Sequence, residues 1–256
     1  MEKKIIEIKN SSNEKLIGTV YKTPSSRSAA VIMTAGYTSK RENSTNKAIS
    51  KILYDNGISS ILVDLSGHGD SEGKIEDQTI LKARNDVESI YQYVLNLDWV
   101  DSSNIAFLGS SFSANSIIIF AQGNEKIRAL ALKSPITDYY ATRLHQMGQQ
   151  KMDEWKRNGI IILDDGKNTK SKYQFCIDAM KINTYEAISN IKAPIYIVQG
   201  DMDEDIPQSH IKKLNDSLKA KDIIKIIKGA NHGYKNLNHF EKMIKYLSVF
   251  LIKQLS

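Results

Sequence analysis

The 256-residue chain is 41% hydrophobic, enough to bury one sizeable core, and its length is common for a single α/β domain. Its formal net charge of +6 comes from lysines scattered among Asp and Glu, with no basic stripe, aromatic RNA-binding signature or charged tail, so nucleic-acid binding is set aside. Met1–Asn10 hold no signal-like apolar run, no later run reaches the length of a membrane span, and the single Cys176 lies outside any Cys/His cluster of zinc spacing. A cytoplasmic protein without a disulfide, a metal or a cofactor is expected.

Lys3–Lys9 and Lys15–Lys22 flank a polar Asn10–Glu14 turn and predict an antiparallel hairpin. Ala29–Thr34 reads as a buried strand. It ends in the glycine-bearing turn Ala35-Gly36-Tyr37-Thr38-Ser39, ahead of a helix over 43–56 with Ala48, Ile49, Ile52 and Leu53 on one face and Gly57 as its stop. A strand over 60–64 runs into Leu65-Ser-Gly-His68-Gly-Asp-Ser-Glu-Gly73, and the helix over 78–97 places Ala83, Val87, Ile90 and Val94 together.

The centre of the pattern is Asn104–Ala121. Ile105–Leu108 is a short apolar strand, Ile117–Ala121 is apolar on every side, and Gly109-Ser110-Ser111-Phe112-Ser113 lies between them. This is one substitution from the G-x-S-x-G turn that lifts a serine hydroxyl above a sheet. Small residues flank the serine because its backbone is strained and the following helix must pass close to the strand. In that register Ser111 is the candidate nucleophile. The Phe112 N–H faces a reacting carbonyl, and the Tyr37 N–H is the second oxyanion donor if its turn lies beside Ser111.

Ile127–Leu132 is a further strand, after which the strand–helix alternation fails. Residues 139–182 hold a helix-like piece with Tyr139, Tyr140, Leu144, Met147, Met152 and Trp155, then Gly159–Leu163, an Asp165-Gly166 turn signal and Tyr173–Met180. They read as a helix plus a hairpin inserted as a lid into a core of residues 1–138 and 183–256, since ligands bind at the strand ends of α/β sheets. Tyr139, Tyr140, Met147, Trp155 and Phe175 are its candidate substrate contacts, suggesting an apolar or aromatic acyl group.

The alternation resumes with a helix over 184–191 and the strand Ala193–Gln199. Directly after it, Gly200-Asp-Met-Asp-Glu-Asp-Ile-Pro207 brings four carboxylates to a strand end, any of which can orient a histidine. The last strand, Asp222–Ile227, leads into Lys228-Gly-Ala-Asn-His232-Gly-Tyr234 and a closing helix with Leu237, Phe240, Ile244, Leu247 and Leu251 on one face. Serine, acid and histidine thus follow in the chain order of hydrolases built on such a turn, which makes His232 the base and leaves His68, before the serine, a structural role.

These signatures resemble the α/β-hydrolases over nearly the whole chain, and in particular small-lid esterases similar to bacterial cinnamoyl and feruloyl esterases and to serine aminopeptidase-like hydrolases. The resemblance implies a mostly parallel eight-stranded sheet with helices on both faces. It also implies that Asp203 is the acid, with Asp201 and Asp205 as neighbours and Asp138 as the position some relatives use instead. Ala35 stands where many relatives have the histidine of a His-Gly turn, and Ser113 replaces the usual glycine, as in some acyl-ACP thioesterase and acyltransferase relatives.

The expected function is hydrolysis of a small-molecule carboxylic ester through Ser111, Asp203 and His232, with Tyr37 and Phe112 N–H groups holding the oxyanion. Thioester hydrolysis or acyl transfer stays open, as does an aminopeptidase holding its substrate's amine on Asp153-Glu154, or a binding protein on the same fold. A homodimer is compatible with all of these.

Overall fold

The computed structural model describes residues 1–256. Eight strands form one sheet: β1 (Lys4–Lys9), β2 (Lys15–Tyr21), β3 (Ser28–Thr34), β4 (Ser59–Val63), β5 (Val100–Ser110), β6 (Ala129–Lys133), β9 (Ile195–Gly200) and β10 (Ile223–Ile227). Their spatial order is β1-β2-β4-β3-β5-β6-β9-β10. The β1–β2 hairpin pairs antiparallel and joins β4 antiparallel through β2, while all pairs from β4 to β10 are parallel. Helices cover both faces, and the fold is that of an α/β-hydrolase.

Two-sided burial explains the apolar strands. In β5, Ile105 and Phe107 point into the core with α2 (Ile80–Leu95) and α3 (Phe112–Ala121), whereas Ala106 and Leu108 face α1 (Ser44–Asp55) and α8 (Leu237–Leu255). The helix starts are capped as their sequences demand. Asn43 Oδ1 accepts the Asn46 N–H at 3.0 Å, and Thr79 Oγ1 accepts the Lys82 N–H at 3.1 Å.

Between β6 and β9 lie α4 (Tyr139–Asn158), the two-stranded β7 (Ile160–Ile162) and β8 (Lys170–Lys172), α5 (Gln174–Ala179) and α6 (Thr184–Ser189). Helix α4 is interrupted at Gly148, whose φ of 75° and ψ of 164° are not helical. The hairpin departs from expectation. Ile160 pairs with Lys172 and Ile162 with Lys170, so Tyr173–Met180 contributes no strand and instead carries α5, with Phe175, Cys176 and Ala179 buried on one face. The Asp165 carboxylate holds the longer loop by accepting the Lys167 N–H at 2.9 Å and the Thr169 N–H at 3.3 Å. Helix α7 (Gln208–Ser217), absent from the sequence reading, packs against α6. No helix is long and apolar enough to cross a membrane.

Candidate active site

Ser111 sits where β5 turns into α3, with φ 52° and ψ −109°. A non-glycine residue in such a conformation costs about 1–3 kcal/mol and persists only when its surroundings fix it. They do so through short contacts. The Ser111 N–H donates to the Lys133 carbonyl at 2.8 Å. A Cβ on Gly109 would lie 2.6 Å from Ile117 Cδ1 and 2.8 Å from Ala114 Cα, so only glycine lets α3 pass this close.

The histidine arrives from the far end of the sheet. The β9 and β10 loops meet so tightly that a Cβ on Gly200 would lie 2.1 Å from the Ala230 carbonyl oxygen. The four acids left open by the sequence then take separate positions. Asp201 Oδ1 accepts the Gly229 N–H at 2.5 Å and Glu204 Oε2 accepts the His232 N–H at 3.2 Å, tying the two loops together. Asp203 Oδ2 faces His232 Nδ1 at 2.8 Å, and His232 Nε2 lies 3.1 Å from Ser111 Oγ. Asp205 Oδ2 stands 3.9 Å from His232 Nε2. Asp138 is elsewhere, capping α4 by accepting the Ala141 N–H at 2.9 Å.

Asp203 is fully surrounded: its side chain is 0% exposed, Gln199 Nε2 donates to Oδ2 at 2.7 Å, and the Asp205 and Ile206 N–H groups donate to Oδ1 at 3.0 and 3.1 Å. Burial works to raise its pKa, but the hydrogen bond and charge of His232, with Gln199 and the Ile206 N–H, outweigh it and hold the carboxyl below its ordinary range. An ionised carboxylate on Nδ1 selects the tautomer with Nε2 free to accept a proton from Ser111.

The turn after β3 lies against the serine. The rings of Tyr37 and Phe112 meet edge-on at 5.3 Å, and neither backbone N–H of the pair donates to a protein acceptor. His68, with Nδ1–H donating to the Ser66 carbonyl at 3.0 Å, stacks on Phe112 at 6.1 Å and meets Tyr37 edge-on at 5.8 Å. Burial keeps its pKa below the ordinary histidine value.

A cavity of about 1070 Å³ opens over Ser111 and His232. The five aromatic and methionine candidates divide around it. Tyr139 and Met147 line it, whereas Trp155 is buried with Nε1 donating to the Ser171 carbonyl at 2.8 Å, Phe175 is buried against Tyr139 at 4.8 Å, and Tyr140 packs on the core. An apolar acyl pocket is not what these side chains build, since only 7 of the 26 lining residues are hydrophobic. Three lining cations, Lys133, Arg143 and Lys151, were missed in sequence. Lys133 donates from Nζ to the His232 carbonyl at 3.2 Å, over the Tyr234 ring, and burial, only partly offset by Asp203 and Asp205, lowers its pKa to about 8. Its signal was a lone charge closing the apolar run Ala129–Leu132. Arg143 had no such signal on a mixed helix.

The sheet order and this loop geometry define an α/β-hydrolase. The chain belongs to the X-Pro dipeptidyl-peptidase (S15) family, whose model matches residues 19–161, and a dienelactone hydrolase family model matches residues 179–246, the stretch holding Asp203 and His232. The chain is 24% identical over 251 residues to the mitochondrial palmitoyl-protein thioesterase ABHD10 of Bos taurus, covering 96% of this chain and 80% of that one. Among solved structures, Est1E from Butyrivibrio proteoclasticus bound to ferulic acid superposes with a TM-score of 0.81 at 23% identity, covering 97% of this chain and 98% of that one. The mouse α/β hydrolase domain-containing protein 10 does so with a TM-score of 0.80 at 21% identity, covering 98% and 99%. At family level these likenesses support a hydrolase of the esterase or thioesterase type. The curated relatives are named mitochondrial, which lends the cytoplasmic expectation no support.

Proposed function

We propose that the chain hydrolyses a small-molecule carboxylic ester or thioester through a Ser111–His232–Asp203 triad. The observation that carries this is the unbroken line from Asp203 Oδ2 to His232 Nδ1 at 2.8 Å and from His232 Nε2 to Ser111 Oγ at 3.1 Å. His232 takes the Ser111 proton as Oγ attacks the carbonyl carbon, and Asp203 stabilises the imidazolium. The Tyr37 and Phe112 N–H groups hold the oxyanion, aided by the positive end of α3. Collapse of the tetrahedral intermediate breaks the acyl–leaving-group bond, and His232 returns the proton to the departing alkoxide or thiolate. Water, deprotonated by the same histidine, then releases the acid. Residues 139–182 act as a lid on a core of residues 1–138 and 183–256, with Tyr139 and Met147 as its substrate contacts.

The polar lining favours a short or charged acyl group over a long alkyl chain. Thioesters are kept as substrates by the likeness to a palmitoyl-protein thioesterase. A peptidase reading has less support: of Asp153-Glu154, only Glu154 lines the cavity, and Asp153 accepts from Gln149 at 2.8 Å.

The test is a hydrolysis panel of p-nitrophenyl esters of rising acyl length, methyl ferulate, an acyl-CoA and an X-Pro p-nitroanilide, beside fluorophosphonate labelling. Turnover of an ester or thioester is expected to fall by several orders of magnitude in Ser111→Ala and in His232→Ala. Full activity in Ser111→Ala, or no turnover together with no labelling of Ser111, overturns the proposal.

A further inference from the structure

Arg143 is a guanidinium without a counter-ion inside the cavity. Its Cζ lies 5.8 Å from the ring centroid of Tyr37 and 5.9 Å from those of Tyr139 and Phe175. Nη1 donates to Gln146 Oε1 at 3.0 Å, while Nε is buried with no acceptor. The arginine–carboxylate pairs of the protein belong to Arg41 and Arg84. Glu154, Asp164, Asp165, Glu204 and Asp205 also line the cavity without pairing with Arg143, and Asp205 is occupied: Oδ1 accepts Gln146 Nε2 at 3.0 Å, and Oδ2 faces His232. Three aromatic faces stabilise the cation but leave its in-plane Nε–H unmatched.

An arginine held this way is costly until an anion completes it, and its planar fork matches a carboxylate. Its place is fixed relative to the chemistry. It packs on Tyr37, the proposed oxyanion donor, and on Tyr139, which stands beside Ser111. Gln146 links it to Asp205 at the histidine.

We propose that Arg143 anchors a carboxylate carried by the substrate, so that the hydrolase acts on esters or thioesters with a negative charge near the scissile bond. The inference rests on the hydrolase reading for its position at Ser111. One arginine flanked by a neutral amide fits a single negative charge better than a phosphate dianion.

The experiment compares p-nitrophenyl hemiglutarate, with the charge on the acyl group, 4-butyryloxybenzoate, with the charge on the leaving group, and neutral p-nitrophenyl butyrate. One of the charged esters is expected to exceed the neutral one in kcat/KM by at least about tenfold. That ratio collapses towards unity in Arg143→Gln, mainly through KM, and returns in part in Arg143→Lys. No preference in the parent protein, or a preference that survives Arg143→Gln, overturns the anchor while leaving the hydrolase reading intact. Should no ester be turned over, calorimetry of Ser111→Ala with the hemiglutarate and the butyrate decides. Binding that needs both the carboxylate and Arg143 upholds the anchor, and binding indifferent to either overturns it.

Discussion

Ser113 Oγ accepts the Ser110 N–H at 3.0 Å and lies 3.1 Å from the Thr34 carbonyl, to which it donates. The residue in the place of the usual glycine thus pins the strained turn to the end of β3, the strand that delivers Tyr37. Ser113→Ala is expected to lower stability by about 1–2 kcal/mol, because the Ser110 N–H and the Thr34 carbonyl lose a buried partner. Urea unfolding measures it, and an unchanged midpoint contradicts it.

Asp203 and Asp205 lie on the same loop with different consequences for turnover. Asp203→Asn presents an amide to Nδ1 and favours the wrong imidazole tautomer, so kcat is expected to fall by roughly 10³–10⁴-fold. Asp205→Asn leaves the 2.8 Å contact of Asp203 in place and is expected to cost less than about tenfold. Steady-state kinetics on one ester separates them; equal losses reverse the assignment of the acid.

The loop after β4 is built around a buried ion pair. Asp64, 1% exposed, pairs with the Arg41 guanidinium, accepts the Arg41 N–H at 2.5 Å and the Asp70 N–H at 3.1 Å, and Arg41 Nε reaches Thr19 Oγ1 at 3.0 Å. Asp64→Ala leaves the buried Arg41 guanidinium with only the exposed Asp70 carboxylate, 2.8 Å from Nη1, as its counter-ion, and is expected to cost about 3 kcal/mol. Combining it with Arg41→Met should recover part of that loss in a double-mutant cycle; strictly additive losses would show that the pair itself contributes nothing.

Lys133 makes stability depend on pH. Unfolded, it titrates near its ordinary value of ~10.4; folded, at about 8. Between these values the unfolded chain holds the extra proton, so the folding penalty is full below about pH 8 and fades as the pH rises towards ~10.4. The parent protein should therefore gain stability relative to Lys133→Met across that window. Denaturation curves for the two proteins that stay parallel over the window would refute it.

Much of this architecture was legible because its signals are local. The Gly109–Ser113 turn, the order of serine, acid and histidine, and the apolar strands follow from steric and burial rules that act within a few residues. The inserted segment resisted for a different reason. Aromatic content tells that Trp155 and Phe175 are buried but not against what, and tertiary packing turned both away from the cavity. Arg143 and Lys133 acquire their meaning only from rings and carbonyls distant in sequence. The four acids of the β9 loop were visible as a group, yet their separate partners depend on a loop 28 or 29 residues away.

The left-handed backbone at Ser111 sets evolution's two demands against each other. Glycine there would adopt φ 52° and ψ −109° without strain, so Ser111→Gly removes the proposed nucleophile and relaxes the fold in one step. The inactive protein would be the sturdier one. Drift towards robustness alone would erase this residue first, and its persistence in any lineage is a mark of selection for turnover.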